Sequence, residues 1–332
     1  MALPKSVTLC ECWARDGLQS VPTVIPTEQK LEMIRRITDA GVRKLEVTSF
    51  SHPKLLPQFA DCVEILKGLE RRPGVTYVVL MPNEKGWERF ETCQKEGFGA
   101  DQIILMISAS EAHNTVNFRM THDEAKRSHA AIMQRAHAVG VKVIGCTGTV
   151  YGCPIRGDVP MKEVIDITRF YIDAGAHTLM LGDTIGAANP LQVRERIGEL
   201  LALFPKTQFI AHFHDTRGNG VLNTFTALEL GLEYLDTSIG AIGGQPATGA
   251  KKYQLGFTGN TCTEDLAALL AEVGVHTGID IEKLLETGRR AEEVVGQQLR
   301  ANIIHSGPVR HESTEYRPPA AAPGPPAGPI DS

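Results

Sequence analysis

The stretch Ala211-His212-Phe213-His214-Asp215-Thr216 lies between an apolar run and a glycine-rich turn. Phe209-Ile210 precede it and Arg217-Gly218-Asn219-Gly220 follow it, a pattern typical of a buried strand that ends in a loop. Because alternate side chains of a strand point to the same side, both imidazoles are predicted to reach one point in space. A single histidine would indicate a core or surface residue, whereas this pair indicates half of a metal site.

Seven other apolar runs resemble this strand, and helical patterns separate them at a spacing of about 30 residues. This alternation predicts parallel strands joined by crossover helices. Eight units favour an α/β fold of the closed (β/α)8 TIM-barrel type. The alternative is an open sheet with a second domain, but no run is followed by G-x-G-x-x-G and no linker interrupts the repeat. The predicted strands are residues 7–12, 44–50, 76–81, 102–107, 141–150, 177–181, 209–214 and 234–239.

The predicted helices share a way of ending, since five of them reach a glycine shortly before the next strand. Glycine tolerates the left-handed conformation that commonly terminates a helix, so these positions support the predicted boundaries. The glycines are Gly41, Gly97, Gly140, Gly175 and Gly231.

The C-terminal part of the chain departs from the repeat. Two further helices are predicted over residues 263–273 and 281–299, and a short polar loop is predicted after residues 108–111. We therefore expect a barrel domain over residues 1–300 and an extension over 301–332, with a disordered Pro/Ala-rich tail from about residue 316. Six prolines lie in that tail: Pro318, Pro319, Pro323, Pro325, Pro326 and Pro329.

The composition of the 332 residues narrows the class of protein. Lys+Arg number 34 against Asp+Glu 39, and no basic run exceeds a doublet, so neither a nucleic-acid surface nor a nucleic-acid partner is expected. No apolar stretch approaches 18 residues and the N-terminus leaves no room for a signal peptide, so no membrane role is expected. Seven cysteines without a C-x-x-C pair indicate a reducing compartment and predict a cytoplasmic location.

Polar residues fall at the ends of several predicted strands, where barrels of this kind place their chemistry. Any one of them can be a solvated strand end, but polar ends on five strands of one rim indicate a functional site. Asp16, His212 and His214 can supply a carboxylate and two imidazoles to a divalent cation, with Asn260 as a further oxygen ligand. This ligand set suits Mg²⁺, Mn²⁺, Co²⁺ or Zn²⁺.

Five motifs together resemble the 3-hydroxy-3-methylglutaryl-CoA lyase family of metal-dependent TIM-barrel lyases, which is related to isopropylmalate and citramalate synthases. They occur in order over about residues 6 to 300, in register with the barrel units. The motifs are Ala14-Arg15-Asp16-Gly17-Leu18-Gln19, Leu45-Glu46-Val47-Thr48-Ser49-Phe50, Leu181-Gly182-Asp183-Thr184-Ile185-Gly186, His212-Phe213-His214-Asp215-Thr216, and Gly259-Asn260 before Thr263-Glu264-Asp265-Leu266.

The resemblance implies retro-Claisen cleavage of a 3-hydroxy-3-substituted acyl-CoA, such as hydroxymethylglutaryl-CoA or citramalyl-CoA, to acetyl-CoA and a keto acid. It implies Mg²⁺ or Mn²⁺ as the cofactor, an acyl-CoA as the small-molecule partner, and a homodimer. The implied catalytic residues are Arg15, Glu46, Asp183 and His212; the implied metal ligands are Asp16, His212, His214 and Asn260; and the implied substrate-binding residues are Gln19, Ser49, Thr149, Gln245, Lys251 and Lys252. Whether Glu46 or Asp183 takes the proton stays open.

The chain departs from the family in the loop after the eighth strand. The family places a catalytic cysteine in a G-G-C-P segment, and here the segment reads Gly243-Gly244-Gln245-Pro246. Glutamine donates a hydrogen bond but has no proton that titrates near neutral pH, which implies another proton donor such as water or Tyr253, another substrate, or a weak or lost activity. Cys262 would replace the missing thiol only if the loop folded it inward, and a free cysteine there is more often a small buried residue. Lys251 and Lys252 either meet a CoA phosphate or belong to a solvated loop.

Two other functions stay open from the sequence. The first is a condensing or aldol enzyme of the same barrel group that uses an α-keto acid. Such synthases usually append a large regulatory domain, whereas about thirty helical residues and a tail are expected after the barrel here, which counts against this function. The second is a non-catalytic barrel that binds a metal or an acyl-CoA, against which the set of polar rim residues counts.

Overall fold

A closed barrel of eight parallel strands forms the centre of the computed structural model, which describes residues 3–244, 258–309 and 311. The strands pair in chain order, and β1 closes the barrel against β8 with Leu9 opposite Leu235. The predicted α/β fold of the TIM-barrel type is confirmed. The strands are β1 (Thr8–Glu11), β2 (Lys44–Ser49), β3 (Thr76–Leu80), β4 (Gln102–Ser108), β5 (Lys142–Gly148), β6 (Thr178–Asp183), β7 (Phe209–Phe213) and β8 (Tyr234–Thr237).

Helices surround the barrel, and the two helices predicted over residues 263–273 and 281–299 are both present, the second ending four residues earlier than predicted. The helices are α1 (Thr27–Asp39), α2 (Cys62–Gly68), α3 (Glu84–Lys95), α4 (Glu111–Phe118), α5 (His122–Ala138), α6 (Met161–Asp173), α7 (Pro190–Leu203), α8 (Gly220–Glu229), α9 (Thr263–Glu272), α10 (Ile281–Val295) and α11 (Asn302–Ser306). Short helical turns occur at Trp13–Gly17, Pro57–Phe59 and Ile239–Ala241.

The segment after β4 differs from its prediction. We expected a polar loop, but α4 forms there because Ser110 caps the helix by accepting a hydrogen bond from the backbone N–H of His113 at 3.4 Å. The helix ends at Arg119, which adopts a left-handed conformation with φ of 57°. This helix brings residues 116–119 to the mouth of the barrel.

The predicted helix-ending glycines all adopt positive φ. Their values range from 75° at Gly140 to 105° at Gly41. A Cβ at Gly41 would lie 2.3 Å from the carbonyl oxygen of Gly278, so the chain also passes too close there for any side chain.

Apolar side chains fill two layers. One layer lies between the strands and the surrounding helices, and it includes Trp13, Trp87 and Tyr171. The other fills the barrel interior beneath the C-terminal rim, and it comprises Cys10, Val78, Leu80, Ile104, Ile144, Cys146, Met180 and Ile210, with Met106 and Tyr234 against it. This interior layer forms the floor on which the polar residues of the rim rest.

Glu11 joins the first strand to the C-terminal part of the chain. Its Oε1 accepts hydrogen bonds from the backbone N–H groups of Trp13 at 2.8 Å and Ile239 at 3.0 Å. Its Oε2 accepts one from the hydroxyl of Thr263 at 2.5 Å. A second link is Glu32 on α1, which pairs with Arg290 on α10. The helices after β8 are therefore fixed to the start of the barrel.

Several predictions fall on residues that the structure does not describe. Gln245, Lys251, Lys252 and Tyr253 lie outside the described residues, and so does the tail from residue 312. The domain boundary at residue 300 stays a prediction. Within the described ranges, none of the helices has the length and apolarity needed to cross a membrane.

Candidate metal centre and active site

Asp16 and Arg15 lie on the π-helical turn that follows β1, and both are buried. Such turns recur at functional sites because they place consecutive side chains in directions that a regular helix does not allow. Arg15 donates from Nη1 to Asp16 Oδ1 at 2.7 Å. The turn therefore presents a carboxylate and a guanidinium together at the barrel mouth.

His212 and His214 face each other across 3.1 Å between their Nε2 atoms. Each ring already uses its other nitrogen: Nδ1 of His212 contacts a carboxylate oxygen of Asp236, and Nδ1 of His214 bonds the carbonyl oxygen of Gly259 at 2.8 Å. An Nδ1–H that donates leaves Nε2 as an acceptor in a neutral imidazole. Two acceptors at this distance repel each other unless a cation or a proton lies between them.

Asn260 lies next to Asp16 and His214. Its amide nitrogen donates to Asp16 Oδ2 at 2.8 Å and to the carbonyl oxygen of Ile242 at 3.0 Å. Its Oδ1 is buried and has no hydrogen-bond partner among the described residues. A buried unpartnered oxygen costs about 1–3 kcal/mol, so its retention here fits a metal ligand.

Asp16, His212 and His214 together can hold a metal ion, since their ligand atoms all lie within 4.8 Å of one another and all three residues are buried. The donors are nitrogen and oxygen atoms, which suit a hard or borderline divalent cation. The residues therefore fit the metal that the sequence predicted.

The protonation states of these side chains favour metal binding. Burial lowers the pKa of His214 to about 4 and also lowers that of His212, so both imidazoles are neutral at pH 7. Burial would raise the pKa of Asp16, but Arg15 and the two histidines outweigh it and lower this pKa to about 2. Metal ligands must be deprotonated, and these three are.

Glu46 on β2 bonds Nε of Arg15 through Oε2. Its other oxygen, Oε1, is buried and has no hydrogen-bond partner in the described part of the chain. Burial raises the pKa of Glu46 to about 6, with Arg15 opposing the shift. Glu46 therefore has a free carboxylate oxygen whose basicity exceeds that of an ordinary glutamate.

A cavity of about 470 Å³ opens over these residues. One part of it is lined by Arg15, Asp16, His212 and His214. Its lining also includes Leu55 and Val116, whose side chains are more than half exposed. Cavities of this volume hold small-molecule ligands.

Comparison with known proteins places this site in a family. Residues 6–290 match the HMGL-like family model. The chain belongs to the HMGL-like family.

HMGL-like relatives cover nearly the whole chain. The hydroxymethylglutaryl-CoA lyase of Bacillus subtilis is 39% identical over 90% of this chain and 96% of its own. The mitochondrial hydroxymethylglutaryl-CoA lyase of Bos taurus is 37% identical over 91% of this chain and 90% of its own. The solved structure of an HMG-CoA lyase from Acinetobacter baumannii, in complex with coenzyme A and 3-methylmalate, is 32% identical with a TM-score of 0.86, and the match covers 96% of this chain and 99% of that one.

Five of the predicted residues that the structure describes do not line the cavity: Glu46, Ser49, Thr149, Asp183 and Asn260. Glu46 and Asn260 lie directly behind it, in contact with the lining residues Arg15 and Asp16. Asp183 follows Gly182, which does line it, so strand alternation turns Asp183 to the opposite face. Its two oxygens accept hydrogen bonds from the backbone N–H groups of Ala187 at 2.7 Å and Ala188 at 3.1 Å. Asp183 therefore holds the loop after β6 in place.

Ser49 and Thr149 also have partners away from the cavity. The hydroxyl of Ser49 bonds that of Ser51 at 2.8 Å, and Ser51 lines the cavity in its place. Thr149 accepts from the backbone N–H of Ser110 at 3.2 Å. Gln19 does line the cavity, and its amide donates to the carbonyl oxygen of Gly244 at 3.0 Å, just before the undescribed segment.

Asp236 was missed by the sequence reasoning, although it contacts a predicted ligand. It lies inside β8, opposite His212 of β7 in the strand register, and it is 1% exposed. A charged residue within the apolar run 234–239 was the available signal, because such residues are poor strand formers. Two polar residues of the cavity wall, Asn117 and Arg119, were also missed because the helix that carries them was predicted as a loop.

Proposed function

We propose that this protein is a divalent-metal-dependent lyase that cleaves hydroxymethylglutaryl-CoA, or a closely related 3-hydroxy-3-substituted acyl-CoA, to acetyl-CoA and a 3-oxo acid. One observation carries the proposal. The Nε2 atoms of His212 and His214 lie 3.1 Å apart beside Asp16 and the open Oδ1 of Asn260, in a chain that belongs to the HMGL-like family. The coenzyme A and 3-methylmalate held by the Acinetobacter relative support an acyl-CoA substrate.

Mg²⁺ or Mn²⁺ is the proposed metal, since both favour oxygen ligands and tolerate imidazole. When bound, the ion acts as a Lewis acid on the oxygen atoms of the substrate's tertiary alcohol and acid groups. Asp16, His212, His214 and Asn260 would hold it.

Glu46 is the proposed general base. Cleavage begins when a base removes the proton of the tertiary hydroxyl. The bond between C2 and C3 then breaks, its electron pair passes to the thioester as an enolate, and C3 becomes the ketone carbon. Oε1 of Glu46 is free to accept this proton, whereas both oxygens of Asp183 are engaged by backbone N–H groups. The choice between the two carboxylates, open from the sequence, therefore falls on Glu46.

Arg15 is proposed to stabilise the enolate. It lines the cavity. Burial alone would lower its pKa, but the neighbouring carboxylates of Glu46 and Asp16 outweigh burial and raise the pKa, so Arg15 stays charged. A fixed guanidinium near a developing negative charge stabilises the transition state more than it stabilises the neutral thioester.

The proton that converts the enolate to acetyl-CoA needs another donor. Cys262 does not serve, because its thiol already donates to Glu264 Oε2 at 3.2 Å. A water molecule is the proposed donor, because glutamine at position 245 has no proton that titrates near neutral pH.

Release of acetyl-CoA from hydroxymethylglutaryl-CoA and from citramalyl-CoA, with added Mg²⁺ or Mn²⁺, tests the proposal. We expect the wild-type protein to cleave hydroxymethylglutaryl-CoA and His212→Ala to lose both metal binding and cleavage. In Gln245→Cys, a higher rate would indicate that a thiol at this position serves as a proton donor. A wild-type protein that binds metal but releases nothing from either thioester would overturn the lyase function.

A further inference from the structure

Two glycines lie side by side next to the metal centre. Gly182 on β6 is the register partner of His212 on β7, and a Cβ built on Gly182 would lie 3.5 Å from Cα of Gly148 on β5. Gly182 lines the cavity. Two adjacent strands therefore contribute no side chain at the level of the metal ligands.

The backbone does not require glycine at either position. Neither residue has a positive φ, in contrast to Gly186 four residues later. A Cβ at Gly182 would meet its nearest atom, the carbonyl oxygen of Thr147, at 3.4 Å, an ordinary contact. Alanine would be tolerated by the fold here, so the glycine matters for the space that it leaves beside His212.

The floor of this space is apolar. Met106, Cys146 and Met180 are consecutive register partners on β4, β5 and β6, and all three line the cavity beneath the glycines. Leu80 and Ile104 continue the same surface. No described residue of this floor is charged, and methionine side chains adapt their shape to a ligand.

We propose that this glycine-sided recess over Met106, Cys146 and Met180 binds an alkyl group on C3 of the substrate that is longer than methyl. The inference rests on the proposed function and extends its substrate class to 3-hydroxy-3-alkylglutaryl-CoA thioesters whose alkyl group is longer than methyl. A carboxylate does not suit the recess, because an anion buried against thioether and thiol groups has no partner. The carboxylate of the substrate instead faces the metal centre.

The chemistry is unchanged for such substrates. Glu46 takes the hydroxyl proton, the C2–C3 bond breaks, and C2 gains a proton to give acetyl-CoA. The other product is a 3-oxo acid that retains the longer alkyl group, so atoms and charge balance as they do for the methyl substrate.

The first test compares kcat/KM of the Mg²⁺-loaded wild-type protein for the 3-methyl, 3-ethyl and 3-isobutyl thioesters. One buried methylene is worth about a fourfold gain in binding. We expect the 3-ethyl thioester to be cleaved at least as efficiently as the 3-methyl one, and the 3-isobutyl thioester within about tenfold of it. A loss of about 100-fold at 3-ethyl would overturn the inference and leave the lyase function intact.

The second test narrows the recess. Gly182→Ala adds one methyl group beside His212, and we expect the kcat/KM ratio of 3-isobutyl to 3-methyl thioester to fall by about tenfold or more. Gly198→Ala on α7 is the matched control, because a Cβ there meets nothing within 4 Å. An equal ratio in the two variants would contradict the recess.

Binding measurements test the recess independently of turnover. Calorimetry with Mg²⁺ and the free acids 3-hydroxy-3-methylglutarate and 3-hydroxy-3-ethylglutarate should show the ethyl compound binding at least as tightly, with this preference lost in Gly182→Ala. If hydroxymethylglutaryl-CoA is not cleaved but the preference is found, the recess stands and the proposed function fails. Weaker binding of the ethyl compound by the wild-type protein would contradict the proposed recess, whether or not hydroxymethylglutaryl-CoA is cleaved.

Discussion

Asp236 on β8 holds Nδ1 of His212 on β7, and the two residues are direct register partners in neighbouring strands. The pairing fixes which nitrogen of His212 carries a proton and leaves Nε2 directed at His214. A histidine that ligates a metal commonly donates its other N–H to such a carboxylate, which fixes the ring and makes it a stronger ligand.

Asp236→Asn should weaken metal binding by about 10- to 100-fold, because the neutral amide no longer accepts the His212 proton as a carboxylate does. Isothermal titration with Mn²⁺ measures this. Asp166→Asn, an exposed change on α6, is the matched control and should bind as the wild-type protein does. Unchanged Mn²⁺ affinity in Asp236→Asn would show that Asp236 does not orient His212.

Glu46→Gln should lower kcat by about 10²- to 10⁴-fold while leaving Mn²⁺ affinity within about threefold, because the change removes a base and no metal ligand. The pKa of Glu46 near 6 sets the direction of the wild-type pH profile. Below about pH 6 the carboxylate is protonated and cannot accept the hydroxyl proton, so kcat falls as pH falls. Acetyl-CoA release between pH 5 and 8 measures the profile, and an acid limb that persists in Glu46→Gln would assign it to another group.

Gly243→Ala should abolish metal binding. A Cβ at Gly243 would lie 2.0 Å from Nδ2 of Asn260 and 3.0 Å from Oδ2 of Asp16, so both side chains must move. Gly274→Ala is the control for backbone strain alone, since its φ is also positive but nothing lies within 4 Å of its Cβ. We expect Gly274→Ala to lose about 1 kcal/mol of unfolding free energy and no Mn²⁺ affinity. Equal Mn²⁺ affinities in the two variants would contradict the close approach at Gly243.

Glu32→Gln should lower the free energy of unfolding by about 1–2 kcal/mol at pH 7, because it breaks the two-pronged pair that joins α1 to Arg290 of α10. Hydrogen bonds from Arg290 and Arg36 lower the pKa of Glu32 to about 2. A carboxyl whose pKa is lowered by folding stabilises above its unfolded pKa of 4.5, and this contribution is lost as pH falls toward 2.

Urea denaturation at pH 7 and at pH 3.5 measures this contribution. The wild-type protein and Glu32→Gln should differ most at pH 7 and less at pH 3.5. Glu293→Gln removes the more exposed partner of Arg290 and should cost less than about 0.5 kcal/mol. If the two variants lose equal stability at pH 7, the link between α1 and α10 does not depend on Glu32.

The barrel and the common direction of His212 and His214 could be predicted from the sequence, because both depend on the periodicity of strands and helices. The alternation of strand residues predicted that His212 and His214 share a face, and the Nε2 distance shows that they do. Asp236 was not predicted because it lies inside the apolar run of β8 and is not part of a recognised motif.

Which of the other rim side chains face the cavity depends on local features that the periodicity of the sequence does not predict. The register shift between Glu46 and Thr48 alters the alternation along β2, and it is Ser51 that lines the cavity where Ser49 was expected. On β6 the polar residue Asp183 was expected to reach the site, but its neighbour Gly182, which has no side chain, faces the cavity. A sequence pattern does not show that the residue facing the cavity is the glycine and not the neighbouring aspartate.

Glu11 bonds to Ile239 and Thr263, which lie 228 and 252 positions further along the chain. β1 cannot complete its pairing before β8 has been synthesised. A ribosome adds about 5–20 residues per second, so β1 waits for roughly 10 to 50 s before its partner emerges. During that interval the open sheet has unpaired edges that can join those of other chains. The yield of active protein in a cell should therefore depend on chaperone capacity during synthesis more than on the stability of the finished barrel.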